Sequence, residues 1–418
     1  MSFDRRGRAK HRFTDPPSAT LAKYILRPFI KALRYGSLTI VTPSGQRIEQ
    51  RGPEKGPKAV LFIHRWRSIR RLIVFGDVGF AEAYADGDWS SPDLPALLEL
   101  VARNLIRIEP KVLGLFPIRF VNRLRHGAKA NTVAGSRQNI AFHYDLGNAF
   151  YRCWLDQTMS YSSGLYNPSQ SLEEAQEAKL ARVVDLLRLK DGGQVLEIGC
   201  GWGNLASRLG QMGIQVTGVT LSAEQQAYAT AQIADQGLEQ SVRIQLKDYR
   251  NVEGFFDRIV SIEMLEAVGE RYWPIYFRTL RDHLLDHGRA VLQVITIDES
   301  RFAHYRKSAD FIQLHIFHGG MLPTKRVIFE QAKAADLRVA SFENFGDSYA
   351  RTLSDWRHRF FESWPAIESL GFSARFKRIW DYYLSYCEAG FRARTIDVGL
   401  YVLEPRSRAG DRSDRGLT

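Results

Sequence analysis

Three glycines that follow an apolar run are the first residues in this sequence that could do chemistry. The stretch from Val195 to Leu205 reads VLEIGCGWGNL, in which Gly199, Gly201 and Gly203 alternate with other residues. Glycine adopts positive φ at little cost and lets a ligand approach the backbone closely. A helix that begins after such a turn offers unpaired N–H groups and a partial positive charge. The stretch therefore predicts a strand, a tight turn and a helix that bind a small ligand with an anionic part.

The spacing of these glycines separates two classes of cofactor site. A dinucleotide-binding turn reads G-x-G-x-x-G, whereas single residues separate the glycines here. Glu197 lies in the strand just before the turn, where a carboxylate suits the ammonium of an amino acid. A second polar group follows at Asp248 to Arg250. This arrangement predicts a class I S-adenosylmethionine methyltransferase. Thr220 stands where an acid usually binds the ribose hydroxyls, and Ser222 or Gln225 could supply those hydrogen bonds instead.

The elements that must position these residues alternate regularly from about residue 139 onward. A helical pattern, LEEAQEAKLARVVDLLRLK, precedes the strand QVLEIGC, and strands QVTGVTL, VRIQLKD, DRIVSIEM and RAVLQVITI follow with helices between them. Such alternation predicts a doubly wound, Rossmann-like α/β sheet that binds its ligands at the carboxyl ends of the strands.

A smaller α+β domain is predicted ahead of this region. Three short β-like runs, SLTIVTP, KAVLFIH and RRLIVFG, lead into a helical stretch in which Ser91 or Asp93 could cap a helix. The predicted organisation is a disordered basic tail over 1–18, an N-terminal α+β domain over 19–115 that associates with lipid, a basic linker over 116–138, a catalytic domain over 139–405 and a disordered tail over 406–418.

The positive charge of the chain is concentrated at its start. The net charge is +12, and residues 1–71 contain 17 Lys/Arg against four Asp/Glu. Between Thr20 and Gly36, apolar and basic residues both recur every four positions, which is typical of a helix at a membrane interface. A core-packing amphipathic helix fits the same pattern, and a solvated basic arm fits the charge. We expect an anionic membrane surface rather than nucleic acid as the partner.

Composition excludes several other classes of protein. No apolar run is long enough to cross a membrane, and the basic start lacks the apolar core of a secretory signal. The three cysteines, Cys153, Cys200 and Cys387, are too scattered for a disulfide framework or a zinc site. We therefore expect no metal, and a cytoplasmic location with peripheral attachment to the inner face of the membrane.

The chain resembles the cyclopropane-fatty-acyl-phospholipid synthases and their mycolic-acid relatives. The resemblance spans roughly residues 139–403, and YADGDW resembles the N-terminal domain of the longer bacterial members. The matching stretches, in the order of that family, are HYDLGNAFYRCWLD, MSYSSGLY, VLEIGCGWGNLA, GVTLSAEQQ, KDYR, FDRIVSIEMLEAVG, NFGDSYARTLSDW and CEAGFRARTIDVGLYVL.

This resemblance implies the residues of the site. The residues implied to bind S-adenosylmethionine are Tyr161, Ser162, Val195, Leu196, Glu197, Ile198, Gly199, Cys200, Gly201, Trp202, Gly203, Thr220, Leu221, Ser222, Ala223, Glu224, Gln225, Asp248, Tyr249 and Arg250. In the family, a bound bicarbonate is thought to be the catalytic base. Its carriers here would be Glu266, Tyr349, Ser163, Gln293 and Ile295, and Cys387 aligns with a cysteine assigned to the active site, although a packed thiol is the simpler interpretation.

The implied reaction moves a methyl group to a cis double bond of a phospholipid acyl chain. The resulting carbocation then loses a proton and, in the cyclopropane case, closes a ring. Two residues depart from the family pattern, since Ser163 replaces a cysteine and Gln293 replaces a histidine. We expect cyclopropane fatty acids, with a methylene- or methyl-branched unsaturated chain as the alternative.

Other functions remain open at this point. One is a methyltransferase for a soluble small molecule, another is a lipid-binding protein that keeps the fold without turnover, and a third is a dinucleotide oxidoreductase. The basic start disfavours the first, the intact glycines and Glu266 disfavour the second, and the glycine spacing disfavours the third. We expect a homodimer that acts on unsaturated phospholipid acyl chains.

Overall fold

A computed structural model describes residues 31–105, 146–307 and 309–406 of the chain. The predicted tail over 1–18, most of the predicted amphipathic helix and the predicted linker over 116–138 lie outside these ranges. So does the C-terminal tail from residue 407 onward.

The N-terminal unit is a small sheet with two helices, as predicted. Its sheet has the order β2-β1-β3-β4, in which β1 runs parallel to β3 and antiparallel to β2. In chain order, the elements are β1 (Tyr35–Val41), β2 (Arg47–Arg51), β3 (Glu54–Ile63), α1 (Arg67–Ala85), β4 (Trp89–Ser90) and α2 (Leu94–Leu105). Asp93 accepts a hydrogen bond from the Ala96 N–H at 3.0 Å, which satisfies a free donor in the first turn of α2.

The prediction of a strand at RRLIVFG was wrong, because these residues form the first half of α1. The run is rich in β-branched and aromatic side chains, but tertiary contacts override that local preference. Helical spacing puts Arg67 and Arg71 one turn apart, and their guanidinium groups bind Asp88 and Asp86 at 2.7 Å. The helix kinks at Gly76, whose φ of 66° only glycine adopts readily.

The predicted α/β fold is confirmed in the larger unit. Seven strands form one sheet of order β10-β11-β9-β8-β5-β6-β7, in which β5 to β9 are parallel and β11 is antiparallel to both of its neighbours. The strands are β5 (Gln194–Ile198), β6 (Gln215–Thr220), β7 (Val242–Leu246), β8 (Phe256–Ile262), β9 (Leu284–Ile297), β10 (Leu337–Asn344) and β11 (Ile396–Pro405).

Helices cover both faces of this sheet. They are α3 (Asn148–Arg152), α4 (Leu172–Leu187), α5 (Asn204–Gln211), α6 (Ala223–Asp235), α7 (Leu265–Val268), α8 (Trp273–His283), α9 (Glu299–Tyr305), α10 (Phe311–His315), α11 (Lys325–Ala334), α12 (Gly346–Glu362), α13 (Trp364–Ser369) and α14 (Ala374–Arg392). A capping box between Ser171 and Glu174 fixes the start of α4. Strand β5 alternates its buried side chains between two apolar clusters, with Val195 on one face and Leu196 and Ile198 on the other.

The N-terminal unit packs on helices α14 and α10 of the larger unit. Trp89 and Tyr382 belong to one continuous apolar core that contains residues of both units. At its edge the Tyr84 hydroxyl donates a 2.5 Å hydrogen bond to Asp381, which also binds Arg357 at 2.6 Å. The active-site helices therefore share their core with the N-terminal unit.

None of the helices in the described part of the chain is long and apolar enough to cross a bilayer.

The Tyr84–Asp381 hydrogen bond should stabilise the contact between the two units. Tyr84→Phe removes the donor and leaves the carboxylate of Asp381 short of a partner in a buried position. We expect a loss of about 1.5–3 kcal/mol in the free energy of unfolding, measured by urea denaturation. Tyr228→Phe, at a half-buried tyrosine of α6, is the control. Equal stability of the two variants would contradict this role.

Candidate active site

Only one of the three glycines in the turn has open space beside it. Gly199, Gly201 and Gly203 have φ values of 79°, 54° and 86°. A Cβ at Gly199 would come within 3.0 Å of Met264, and one at Gly203 within 2.8 Å of Ala229, so packing requires glycine at both. A Cβ at Gly201 would meet nothing within 4 Å. The space over Gly201 is therefore where a ligand can approach the turn.

Glu197, which the sequence analysis predicts as the acid of the cofactor site, is buried at the end of β5. Burial raises the pKa of its carboxyl to about 8, although nearby Lys179 and the Ala206 backbone lower it. Its Oε2 has no hydrogen-bond partner among the described residues. A buried carboxylate oxygen without a partner is costly, and the ammonium of the cofactor's amino-acid part would satisfy it. S-adenosylmethionine thus fits the turn and the acid together.

Lys179 is a buried cation that sequence reasoning did not select. Its Nζ donates to the Ser162 hydroxyl at 2.9 Å. Burial lowers the pKa of this ammonium, and the negative charges of Glu263, Asp156 and Glu197 oppose that effect. Lys179 therefore supplies positive charge to several acids and holds the segment that contains Ser162 and Tyr161.

The predicted residues at the ends of β6 and β7 form two small networks. The Thr220 hydroxyl donates to the Gln225 side chain at 2.9 Å, and Ser222 caps α6 by accepting from the Gln225 N–H at 3.2 Å. Leu221, Ala223 and Glu224 complete this strand-to-helix corner.

Beyond β7, Asp248 binds the guanidinium of Arg250 through both carboxylate oxygens, at 2.8 and 2.6 Å. The buried Tyr249 hydroxyl has no partner among the described residues, which leaves it free for a ligand. Both networks lie at the carboxyl edge of the sheet, where the fold places its ligands.

Glu263 is the main site residue that sequence reasoning missed. It directly follows β8 and is half-buried. One of its oxygens accepts from the Ser163 N–H at 2.9 Å and from the Gln293 amide at 2.7 Å. The other accepts from the Tyr349 hydroxyl at 2.6 Å. Burial raises the pKa of this carboxyl, and the three donors oppose the rise.

Three of the residues implied by the family resemblance thus meet at Glu263. The Ser163 hydroxyl itself is turned away and donates to the Gly164 carbonyl at 2.8 Å, so this residue contributes its backbone N–H instead. The stretch SIEMLEAVG contains a signal for Glu263, because this acid directly follows a strand next to β5, and Glu197 lies one residue before the end of β5. The sequence analysis selected Glu266 in this stretch and not Glu263.

Glu266 lies on α7 with one oxygen bound to the Ile295 N–H at 2.5 Å. Its other oxygen is buried and has no partner among the described residues. Burial and the nearby charge of Glu263 raise the pKa of this carboxyl to about 8. Because two carboxylates repel each other in a buried site, Glu266 is mostly protonated at neutral pH.

Aromatic rings surround these acids. The Tyr349 ring stacks on Phe391 at 4.5 Å and meets Trp356 edge-on at 6.1 Å. Trp356 in turn contacts Tyr161 at 5.3 Å, and the Tyr161 hydroxyl hydrogen-bonds that of Tyr383 at 2.8 Å. Such ring faces can stabilise a cation in an otherwise apolar site.

The remaining predicted residues have structural surroundings that explain them. Trp202 donates to the Asn148 side chain at 2.7 Å and packs on Tyr151. Burial raises the pKa of the thiols of Cys200 and Cys387 well above the usual range, so both are neutral at physiological pH. A neutral thiol is a poor nucleophile, which agrees with the interpretation of Cys387 as a packed residue. The described residues include no group of three or more His, Cys, Asp or Glu that could hold a metal ion.

Fold and site together define a class I S-adenosylmethionine-dependent methyltransferase. A family model described as mycolic acid cyclopropane synthetase matches residues 132–400, and the chain belongs to that family.

Relatives of known function agree with this assignment. The chain is 38% identical over 354 residues to tuberculostearic acid methyltransferase UfaA1 of Mycobacterium tuberculosis, with 82% of each chain covered. It is 35% identical to the cyclopropane-fatty-acyl-phospholipid synthase of Escherichia coli, over 79% of this chain and 84% of that one. The crystal structure of mycolic acid cyclopropane synthase CmaA1, complexed with SAH and CTAB, matches 64% of this chain and 97% of its own with a TM-score of 0.60 and 29% identity.

Substitution of Gly201 should abolish cofactor binding. In Gly201→Val, a branched side chain occupies the open space over the turn, at a φ of 54°. Gly213→Val is the matched control, since it places the same side chain at positive φ in an exposed turn with open space. Calorimetry should detect S-adenosylmethionine binding to the control alone. Unchanged affinity in Gly201→Val would place the cofactor elsewhere.

Cofactor binding should release a proton from Glu197. With a pKa of about 8, this carboxyl is mostly protonated at pH 7 in the free protein. An ammonium beside it favours the charged form, so its pKa falls on binding, and affinity rises with pH until about 8. Calorimetry in buffers of different ionisation enthalpy measures this release. Glu197→Gln should release fewer protons and bind more weakly, and equal release by both proteins would contradict the assignment.

Proposed function

We propose that this protein transfers the methyl group of S-adenosylmethionine to the cis double bond of an unsaturated acyl chain in a membrane phospholipid. The cofactor supplies an activated methyl group, and the protein's own residues align the acceptor, exclude water and remove a proton.

The observation that carries the proposal is the chemical character of the buried atoms beside the glycine turn. Met264, which adjoins Glu263, lies against Gly199, so the acids and the turn belong to one site. Three buried oxygens there have no partner among the described residues: Glu197 Oε2 and Glu266 Oε2, which belong to carboxyl groups that become acceptors when ionised, and Gln293 Oε1, which is an acceptor. Acceptor oxygens and aromatic faces suit a positively charged cofactor and a cationic intermediate.

An alkene acceptor explains why the acids are placed in apolar surroundings. An alkene needs no deprotonation before methyl transfer, but it is a weak nucleophile and must be aligned closely with the methyl group. Methylation leaves a carbocation, which water would trap if the site were open. The enclosing rings of Tyr161, Tyr349 and Trp356 keep water out, and a carboxylate can take the proton that the cation must lose.

Relatives support a lipid acyl chain as the acceptor and leave two products to distinguish. One relative is named as a cyclopropane-fatty-acyl-phospholipid synthase and another as a tuberculostearic acid methyltransferase. The presence of Glu266, Ile295 and Tyr349 supports the ring. Gln293 and Ser163, which replace a histidine and a cysteine, support the branched chain.

Expression in a host that makes unsaturated phospholipids tests the proposal. Gas chromatography–mass spectrometry of the fatty acids should reveal chains heavier by one carbon that carry either a ring or a branch. Gly201→Val is the inactive control. If vesicles of unsaturated phospholipid accept no labelled methyl from the purified wild-type protein, the acceptor is not an acyl chain, and a soluble small molecule becomes the substrate to seek.

The N-terminal segment should deliver the protein to an anionic membrane. Each Lys or Arg near such a surface contributes about 1 kcal/mol, and salt weakens this attraction. Deletion of residues 1–30 leaves β1 and Leu33 intact. We expect this variant to lose activity on anionic vesicles while it keeps its affinity for S-adenosylmethionine.

Sedimentation with vesicles of anionic and of neutral phospholipid checks this prediction directly. Binding of the full-length protein should fall with added salt and with the loss of anionic lipid. Binding that responds to neither salt nor the deletion would contradict it.

A further inference from the structure

We propose that the Glu263 carboxylate is the base that removes the proton from the methylated acyl chain, in the place that the family resemblance gives to bicarbonate. This inference rests on the proposed function, and it makes the enzyme independent of bicarbonate.

The first observation is that Glu263 already holds the donors that a small anion would need. The Ser163 N–H, the Gln293 amide and the Tyr349 hydroxyl all donate to it, at 2.6 to 2.9 Å. The Ile295 N–H, another of the implied donors, is taken by Glu266. Two carboxyl groups thus occupy the donors from four of the five residues implied to carry the anion, and the fifth is Glu266 itself.

The second observation concerns the atoms that remain without partners. Gln293 Oε1 is an acceptor, and Glu266 Oε2 belongs to a carboxyl group that repels an anion whenever it is ionised. Apart from a proton on Glu266, bicarbonate in this place would find no free donor on the five residues implied to carry it. The residues present therefore do not fit bicarbonate.

The third observation is backbone conformation. Glu263 has a φ of 51°, in the left-handed region that favours glycine. A glutamate there is strained, yet its half-buried side chain is bound by three separate segments of the chain. Strain that the surroundings hold in place is characteristic of functional sites.

The chemistry balances without any further reactant. The π electrons of the alkene form the new carbon–carbon bond to the methyl group, and the sulfur of the cofactor keeps the electrons of the bond that breaks. Three donors fill three of about four acceptor positions on Glu263, which leaves one on the oxygen bound by Tyr349. That oxygen takes a proton from the cation, and the released electron pair closes the ring or, after a hydride shift, forms the double bond of a branched chain. Glu263 later returns the proton to solvent.

The experiment uses the full-length protein, methyl-labelled S-adenosylmethionine and vesicles of phosphatidylglycerol with cis-octadecenoyl chains. Buffers are freed of dissolved carbon dioxide, and sodium bicarbonate is added back as the probe. We expect the wild-type rate to be the same with and without bicarbonate. Glu263→Gln keeps the shape of the side chain, so cofactor affinity should persist while the rate falls about 10²- to 10⁴-fold, with no rescue by bicarbonate.

Glu263→Gly provides a second and independent test. Glycine relieves the backbone at a φ of 51° and leaves the donors free around a cavity, so this variant should fold. Its rate should be low without bicarbonate and rise in a saturable way when bicarbonate is added. Glu239→Gln, on the exposed surface beyond α6, should behave as the wild type.

Each opposing outcome has a distinct meaning. A wild-type rate that falls when bicarbonate is removed, or a Glu263→Gln rate close to that of the wild type, would overturn the inference alone. Failure of bicarbonate to raise the Glu263→Gly rate would contradict the placement of this carboxylate in the anion's position. No transfer of label to lipid by the wild type under either condition would overturn the proposed function, and this inference with it.

Discussion

The hydrogen bonds to the buried Glu263 carboxylate are the interactions on which the arrangement of this site depends. They connect the end of β8 to the segment before α4, to β9 and to α12. A buried carboxylate needs several donors to remain in place. These hydrogen bonds therefore fix the relative positions of four parts of the chain. Because α12 shares its core with α14 and the N-terminal unit, this constraint extends across both sheets.

The acids of the site outnumber the cations that could balance their charge. Glu197 and Glu263 lie near one buried ammonium, that of Lys179, and Glu266 lies near Glu263. Burial raises the pKa of each of these carboxyl groups, so fewer than three negative charges coexist at neutral pH. The sulfonium and ammonium of a bound cofactor add positive charge and shift this balance towards ionised acids. Acids that become more ionised when the cofactor is present are well matched to a reaction that passes through a cation.

The fold near the glycine turn could be predicted from sequence because periodicity and turn chemistry agree there. Strands β5 to β9 and helices α4, α6 and α8 all lie where the alternation placed them. The prediction of a strand at RRLIVFG was wrong because the ion pairs of Arg67 and Arg71 outweighed the local preference for a strand. Their partners, Asp88 and Asp86, follow later in the chain. The packing of the N-terminal unit on α14 depends on contacts between residues nearly 300 positions apart, such as Tyr84 and Asp381, which no local pattern reveals.

The same limit of local sequence patterns explains why Glu263 was not predicted as a site residue. The resemblance names Ser163, Gln293 and Tyr349 as partners of a diffusible anion, and the structure shows all three donating to Glu263, a residue that the sequence analysis did not select. A tethered carboxylate and a diffusible anion differ physically in one respect. The tethered group never has to be bound from solution and keeps one orientation, whereas an exchangeable anion can reorient within its donors. Competing routes of proton loss need differ by only about 1.4 kcal/mol for a tenfold change in product ratio. A fixed base therefore gives the direction of one carboxylate oxygen a large influence over whether the cation closes to a ring or leaves a branched chain.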